Sequence, residues 1–292
     1  LQSDLSLRVQ SLAAIALSRV CTRGDEQAVA TLFKSAVTNE NTAGDIVLRH
    51  SILTGLYRLA TAKQAIAKVP SPSSEERLLA VLALRQMESE QAVLFLGDSN
   101  PFIVREVIRA IYDTSIIDSA AGEQLAALSD NIGALPESIQ RRIVAANYRR
   151  GSDTNAQALF KLANRDDLKG SVRTAALIAL QQWEATIDTD PVLGHYRPIV
   201  NHADRTLESL SSLLGEDIRK FLAGSKETEL ITLALELANA IGVDLEVETL
   251  LVQVNNSELG ADLRIAVLAS LAQSGASEFT SVVQDLLTDA DP

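Results

Sequence analysis

The 292 residues are 47% hydrophobic but only 4% aromatic, so any core is built from Ala, Leu, Ile and Val, small packers that also form helices readily. The formal net charge of −12 argues against a nucleic-acid or anionic-membrane partner, because phosphate binding needs clustered Lys and Arg. Cys21 is the single cysteine, which excludes an internal disulfide, and no CxxC or CxxCH pattern offers zinc or covalent haem.

Residues 5–20 place Leu5, Val9, Leu12, Ala13, Ala16 and Leu17 at a helical period, although the chain opens on Leu1 as if cut from a longer protein. Gly24-Asp25 turns the chain, and the spacing predicts a return helix over 26–37. After a polar loop at 39–44, the first pattern recurs over 46–60, with a short partner over 63–69. Residues 70–74 break the chain, and Ser73 with Glu76 fits a capping box. LLAVLAL then follows Arg77, and QAVLFL makes a short apolar stretch over 91–96. Asn100 at N-cap and Pro101 at N1 predict a helix start at Phe102, with a return helix over 120–128. Residues 138–149 and 155–163 form another pair around Gly151, and 171–183 begin one more.

The period then fails. Residues 184–204 carry two prolines and three Asp with no helical spacing, and a structureless stretch of that length is often functional. The reading is an irregular insertion at 184–205 in an array covering 1–183 and 206–292. Helical spacing returns in two pieces, 206–214 and 216–222, then in the pairs 230–241 with 245–254 and 262–272 with 278–287. The final Asp289–Pro292 reads as one more inter-repeat turn. No apolar run approaches ~18 residues, so no membrane insertion is expected.

Arg8, Arg49, Arg77, Arg105, Arg142, Arg173 and Arg264 recur early in the first helix of each unit. Several follow an acidic turn: Asp98 before Arg105, Asp166-Asp167 before Arg173, Asp262 before Arg264. This placement resembles HEAT-type repeats, in which such arginines bond turn carbonyls and carboxylates of the adjoining repeat. The expected fold is therefore all-α, a HEAT-like α-solenoid of about seven to eight helical-hairpin repeats, since one pair cannot bury both apolar faces alone. The Arg ladder is expected to be structural, because five guanidinium donors satisfy several acceptors at once, and not a basic ligand-binding ridge.

Between Arg77 and Pro198 the likeness is more specific. Ala110-Ile-Tyr-Asp113, Asn147-Tyr-Arg149 with Gly151, Trp183 and Gly194-His-Tyr-Arg-Pro198 resemble the HEAT-repeat segment of planctomycete-type multidomain dehydrogenase-like, c-type haem-binding proteins. That resemblance implies a parent in which a propeller similar to sugar or sorbosone dehydrogenases precedes the helices and a c-type cytochrome follows them. It implies a secreted or periplasmic redox protein, with substrate site and haem c outside this segment. The segment itself is then expected to be a non-catalytic scaffold without a cofactor, whose partners are other domains of the same polypeptide or another protein.

Candidate chemistry is sparse. Of His50, His195 and His202, the last two share the irregular stretch with Asp188, Asp190 and Asp204, but no spacing fits zinc, and Asp188-Thr-Asp190 lacks the Gly and Glu of a calcium loop. Cys21 sits beside Arg19 and Arg23 with no His near it, and reads as packing. There is no GxSxG, P-loop or GxGxxG, so no catalytic residue is assigned. Trp183 reads as core filling, and with His195, Tyr196 and Arg197 as a possible docking surface. The alternative is a HEAT-like enzyme or tetrapyrrole-binding domain with its site at 184–204.

Overall fold

The computed structural model describes residues 6–37, 45–185, 187–199, 205–225, 227–254 and 260–287. Leu5, the polar loop at 39–44, His202, Asp204 and the turn at 289–292 fall outside these. Among the described residues the elements are helices, and the β-pairing consists of one isolated bridge, Thr189 to Tyr196. None of these helices is long and apolar enough to cross a membrane. The chain is an all-α helical-repeat fold whose packing divides into two units, 1–128 and 129–292.

In the first unit, α1 (Leu7–Val20), α3 (Ile46–Leu59), α5 (Ser74–Gln86) and α6 (Pro101–Tyr112) stack in sequence. Their return elements are α2 (Glu26–Val37), the short α4 (Ala62–Ile66), a 3-10 helix at Glu90–Phe95 and α7 (Ala120–Ala126). Leu84 on α5 faces the core with no exposure, as do Ile52, Leu56, Ile108 and Tyr112, whereas Leu82 is half-buried. Asn100 caps α6 as its sequence predicts, its Oδ1 accepting from Phe102 N at 2.9 Å. Ser73 also caps α5, but Glu76 does not complete a box. Its carboxylate turns to Lys68 at 3.0 Å and Ser71 Oγ at 2.7 Å, where charge and hydrogen bonding outbid a lone amide.

In the second unit the stacked first helices are α8 (Glu137–Arg150), α10 (Gly170–Gln181), α12 (Thr228–Ala240) and α14 (Ala261–Ser274). Their returns are α9 (Asp153–Ala163), α11 (Leu207–Gly224), α13 (Val247–Val254) and α15 (Phe279–Leu286). The two pieces expected at 206–222 are one continuous helix of 18 residues. Gly215 is buried inside it against Val243, so packing overrides the local glycine penalty. Helix α11 packs on α9 and α12, the place of a return helix. The irregular stretch therefore lies within one helical pair and not between repeats.

The ladder arginines diverge. Arg173 Nε donates to the Ala163 carbonyl at 2.8 Å, and Arg264 Nε to Val254 at 3.2 Å. Each acceptor is the last residue of the preceding return helix, a carbonyl with no partner inside its own helix. Arg173 adds ion pairs to Glu227 and, at 3.4 Å, to Asp166. Arg77 grips Asp98 with two bonds, 2.7 and 3.1 Å, and the Ser71 carbonyl at 2.7 Å. Asp98 was expected to serve Arg105. It also accepts from Asn100 N at 2.8 Å, a tight turn that aims the carboxylate back at α5. Arg105 makes no hydrogen bond or ion pair among the described residues, and its Nε is buried without a partner. Arg142 donates to Ser138 of its own helix at 2.8 Å, Arg49 is half-buried on α3, and Arg8 lies exposed on α1.

Two outcomes follow for stability. Leu84→Ala should cost about 2–5 kcal/mol by denaturant unfolding, since the cavity opens where two stacked helices meet. Arg77→Ala should cost about 3 kcal/mol by stranding a buried carboxylate, and Arg105→Ala less than about 1 kcal/mol. Burial would raise the Asp98 pKa, but its hydrogen bonds from Arg77 and Asn100 and the Arg77 charge outweigh this and hold it below the ordinary value. The ionised Asp98 therefore stabilises fully above the unfolded-chain pKa of about 4, and this is lost as pH falls through the lower folded value. Melting curves of wild type and Asp98→Asn should converge as pH drops below about 4.

Candidate functional site at the inserted hairpin

The stretch after α10 is a folded hairpin. Asp190 N donates to the His195 carbonyl at 2.9 Å, and Arg197 N to Asp188 at 2.6 Å. The Asp190 carboxylate, with no exposure, accepts from Val192 N at 2.9 Å and Leu193 N at 2.8 Å and faces Arg197 Nη1 at 3.4 Å. Gly194 supplies the left-handed residue the turn needs, at φ 70°. Asp-Pro at 190–191 with that glycine is turn chemistry that lacks helical periodicity, which is why the sequence reads as structureless here.

This hairpin rests on the C-terminal end of α8, where each residue of the Asn147-Tyr148-Arg149 string has a separate task. Asn147 Nδ2 donates to Ser129 Oγ and the Ile143 carbonyl, both at 2.9 Å, and its Oδ1 accepts from Asn155 at 3.0 Å. The Tyr148 hydroxyl lies 3.0 Å from the Gln182 carbonyl and 2.9 Å from that of Ala185, tying α8 to the end of α10. Burial pushes this phenol's pKa up, with Arg205 pulling the other way. Arg149, 6% exposed, donates to the carbonyls of Arg197 at 3.0 Å and Pro198 at 3.5 Å.

Arg205 completes the assembly, and nothing in the sequence reading singled it out. Its Cζ stands 5.2 Å from the Tyr148 ring centroid and 5.0 Å from that of Trp183, and Nη2 donates to the Arg149 carbonyl at 3.0 Å. Nε and Nη1 are buried without partners. Burial lowers its pKa, Tyr148 opposes this, and the Arg149 charge lowers it further. The guanidinium fits because residue 151 is glycine: a Cβ there would lie 2.0 Å from Arg205 Nε. The signals that could have found it are a left-handed Gly151 beside two aromatics and a cation at the far end of the insertion.

Placement divides the residues of the possible docking surface. Trp183 is 2% exposed and the Arg197 side chain 14%, so both are used inside the assembly. His195 and Tyr196 stand outside, Tyr196 at 74% exposure. His50 is exposed on α3, and Cys21 is half-exposed just after α1. Among the described residues no group of three or more His, Cys, Asp and Glu is placed to hold a metal, and His202 and Asp204 lie outside them.

No family model matches the chain, and no curated protein matches it. Among solved structures, an engineered protein from a structural genomics consortium is similar at 17% identity and a TM-score of 0.47, covering 99% of this chain and 83% of that one.

Gly151→Ala should displace Arg205 and cost about 2–4 kcal/mol, from left-handed strain together with lost packing. It should also change the emission of Trp183, the sole tryptophan. Tyr196→Ala should leave stability within about 0.5 kcal/mol.

Proposed function

We propose that this segment is a non-catalytic helical-repeat scaffold that binds protein. In its parent it links a sugar- or sorbosone-dehydrogenase-like propeller to a c-type cytochrome, in a secreted or periplasmic redox protein. The observation that carries the protein-binding part is the hairpin itself. It holds Tyr196 out at 74% exposure on a turn fixed by the buried Asp190 carboxylate and the Arg149 bonds. A rigid exposed aromatic is a favoured interface anchor, because it contributes contact area with little entropy to lose. The link to a propeller and a cytochrome is supported by the likeness of 77–198 to that family, of whose strings Asn147-Tyr-Arg149 with Gly151, Trp183 and 194–198 come together in the second unit.

The enzyme or tetrapyrrole reading of 184–204 has less behind it. The slot of about 110 Å³ under the hairpin and the wider hollow beside it are lined by no His, Cys or Met that could ligate a tetrapyrrole's metal.

In the full-length protein, Tyr196→Ala should open new protease cleavage at the domain junctions while the melting temperature of the isolated segment stays unchanged. Unchanged cleavage would remove the docking role. A Soret band shift on adding haem to the isolated segment would favour the tetrapyrrole reading instead.

A further inference from the structure

Beneath the hairpin, between α8 and α10, lies the slot of about 110 Å³. Its walls are Val144 and Ala145 of α8 and Ile178 and Ala179 of α10, and its roof is Pro191 and Val192 of the hairpin. Tyr148 also lines it, and since its hydroxyl is committed to the Gln182 and Ala185 carbonyls, it contributes a ring and not a donor. The slot opens to solvent past Ile178 and Pro191, and its mainly apolar lining favours an apolar body.

The slot is built and not an accident of a loose loop. Asp190 holds the amides of Val192 and Leu193, and Arg149 holds the carbonyls of Arg197 and Pro198. The roof is thus fixed before anything binds, so little ordering cost remains for a ligand.

At the mouth the chemistry changes. Arg141, Pro191 and Val192 also line a wider hollow of about 510 Å³, with Glu137, Ser138 and Arg142. The Glu137 carboxylate is engaged by Ser171 Oγ at 2.7 Å and Lys169 at 3.2 Å, and Arg142 Nη1 by Ser138 at 2.8 Å. Arg141 is exposed where the slot meets solvent; its charge acts on the nearby Glu137 carboxylate, but no hydrogen bond or ion pair among the described residues ties up its guanidinium donors.

We propose that this slot binds a small amphipathic carboxylate, with an apolar body the size of a benzene ring between α8 and α10 and its carboxylate on the Arg141 guanidinium. The apolar walls select the body, and the guanidinium selects an anion that it can grip in a bidentate manner. This site does not rest on the scaffold reading, because its walls exclude Tyr196.

The test titrates the intact chain with benzoate and, as its neutral counterpart, benzyl alcohol, followed by amide chemical shifts. Both should perturb Ile178 and Val192, with benzoate about five- to tenfold tighter at low salt and the margin shrinking as salt rises. Arg141→Gln should erase that margin and leave benzyl alcohol unchanged. Ile178→Trp, which fills the slot from a partly exposed position, should abolish both; Val192→Trp fills it from the roof should the first variant fold poorly. Shifts absent from Ile178 and Val192, equal affinity of the wild type for the two probes, a benzoate margin that survives Arg141→Gln, or binding of either probe that survives the filled slot would each overturn the proposal.

Discussion

Short helices stacked in pairs end often, and every α-helical end leaves carbonyls without partners inside the helix. That constraint organises this chain. In the second unit the answer is an arginine on the next first helix, whose Nε reaches the final carbonyl of the helix before it: Arg173 to Ala163 and Arg264 to Val254. In the first unit Arg77 does the related job for the Ser71 carbonyl and clamps Asp98 at the same time. A guanidinium suits these positions because its planar fork serves a carbonyl and a carboxylate together, and it stays charged when nearly buried. Each such contact fixes where one pair sits on the next, so apolar faces built mainly of Ala, Leu, Ile and Val interlock without large aromatics.

The inserted hairpin uses the same residue under harsher conditions. Arg197 faces the fully buried Asp190 carboxylate, Arg149 donates to the carbonyls of Arg197 and Pro198, and Arg205 donates to the carbonyl of Arg149. Backbone carbonyls take up Arg149, and the faces of Tyr148 and Trp183 take up Arg205, each ring quadrupole offsetting part of the lost hydration. The result is a turn stiff enough to hold His195 and Tyr196 outward and to roof an apolar slot on its other side. Presentation of an aromatic and enclosure of a small volume are thus two consequences of one buried clamp.

The scaffold reading and the carboxylate slot occupy different faces of that hairpin. Tyr196 offers surface to a macromolecule, whereas Val192 and Pro191 close over a space too small for one.

By itself the sequence determined the helices, because their signals are local: apolar spacing, Asn100 with Pro101, and turn residues at Gly24 and Gly151 act within one or two turns of chain. It also made Asn147-Tyr148-Arg149, Gly151, Trp183 and 194–198 stand out as strings, without the role that the packing gives them. Only the tertiary structure decided the pairings. Asp98 lies closer in sequence to Arg105 yet bonds Arg77, 21 residues away, because its turn aims it backward. Arg205 meets Arg149 across 56 residues, and no periodic pattern marks it. Trp183 and Arg197 turned inward while Tyr196, between similar neighbours, turned out. Side chains of one type differ only in the neighbours that stacking brings to them, and that arrangement is a property of the packed helices and not of any window of sequence.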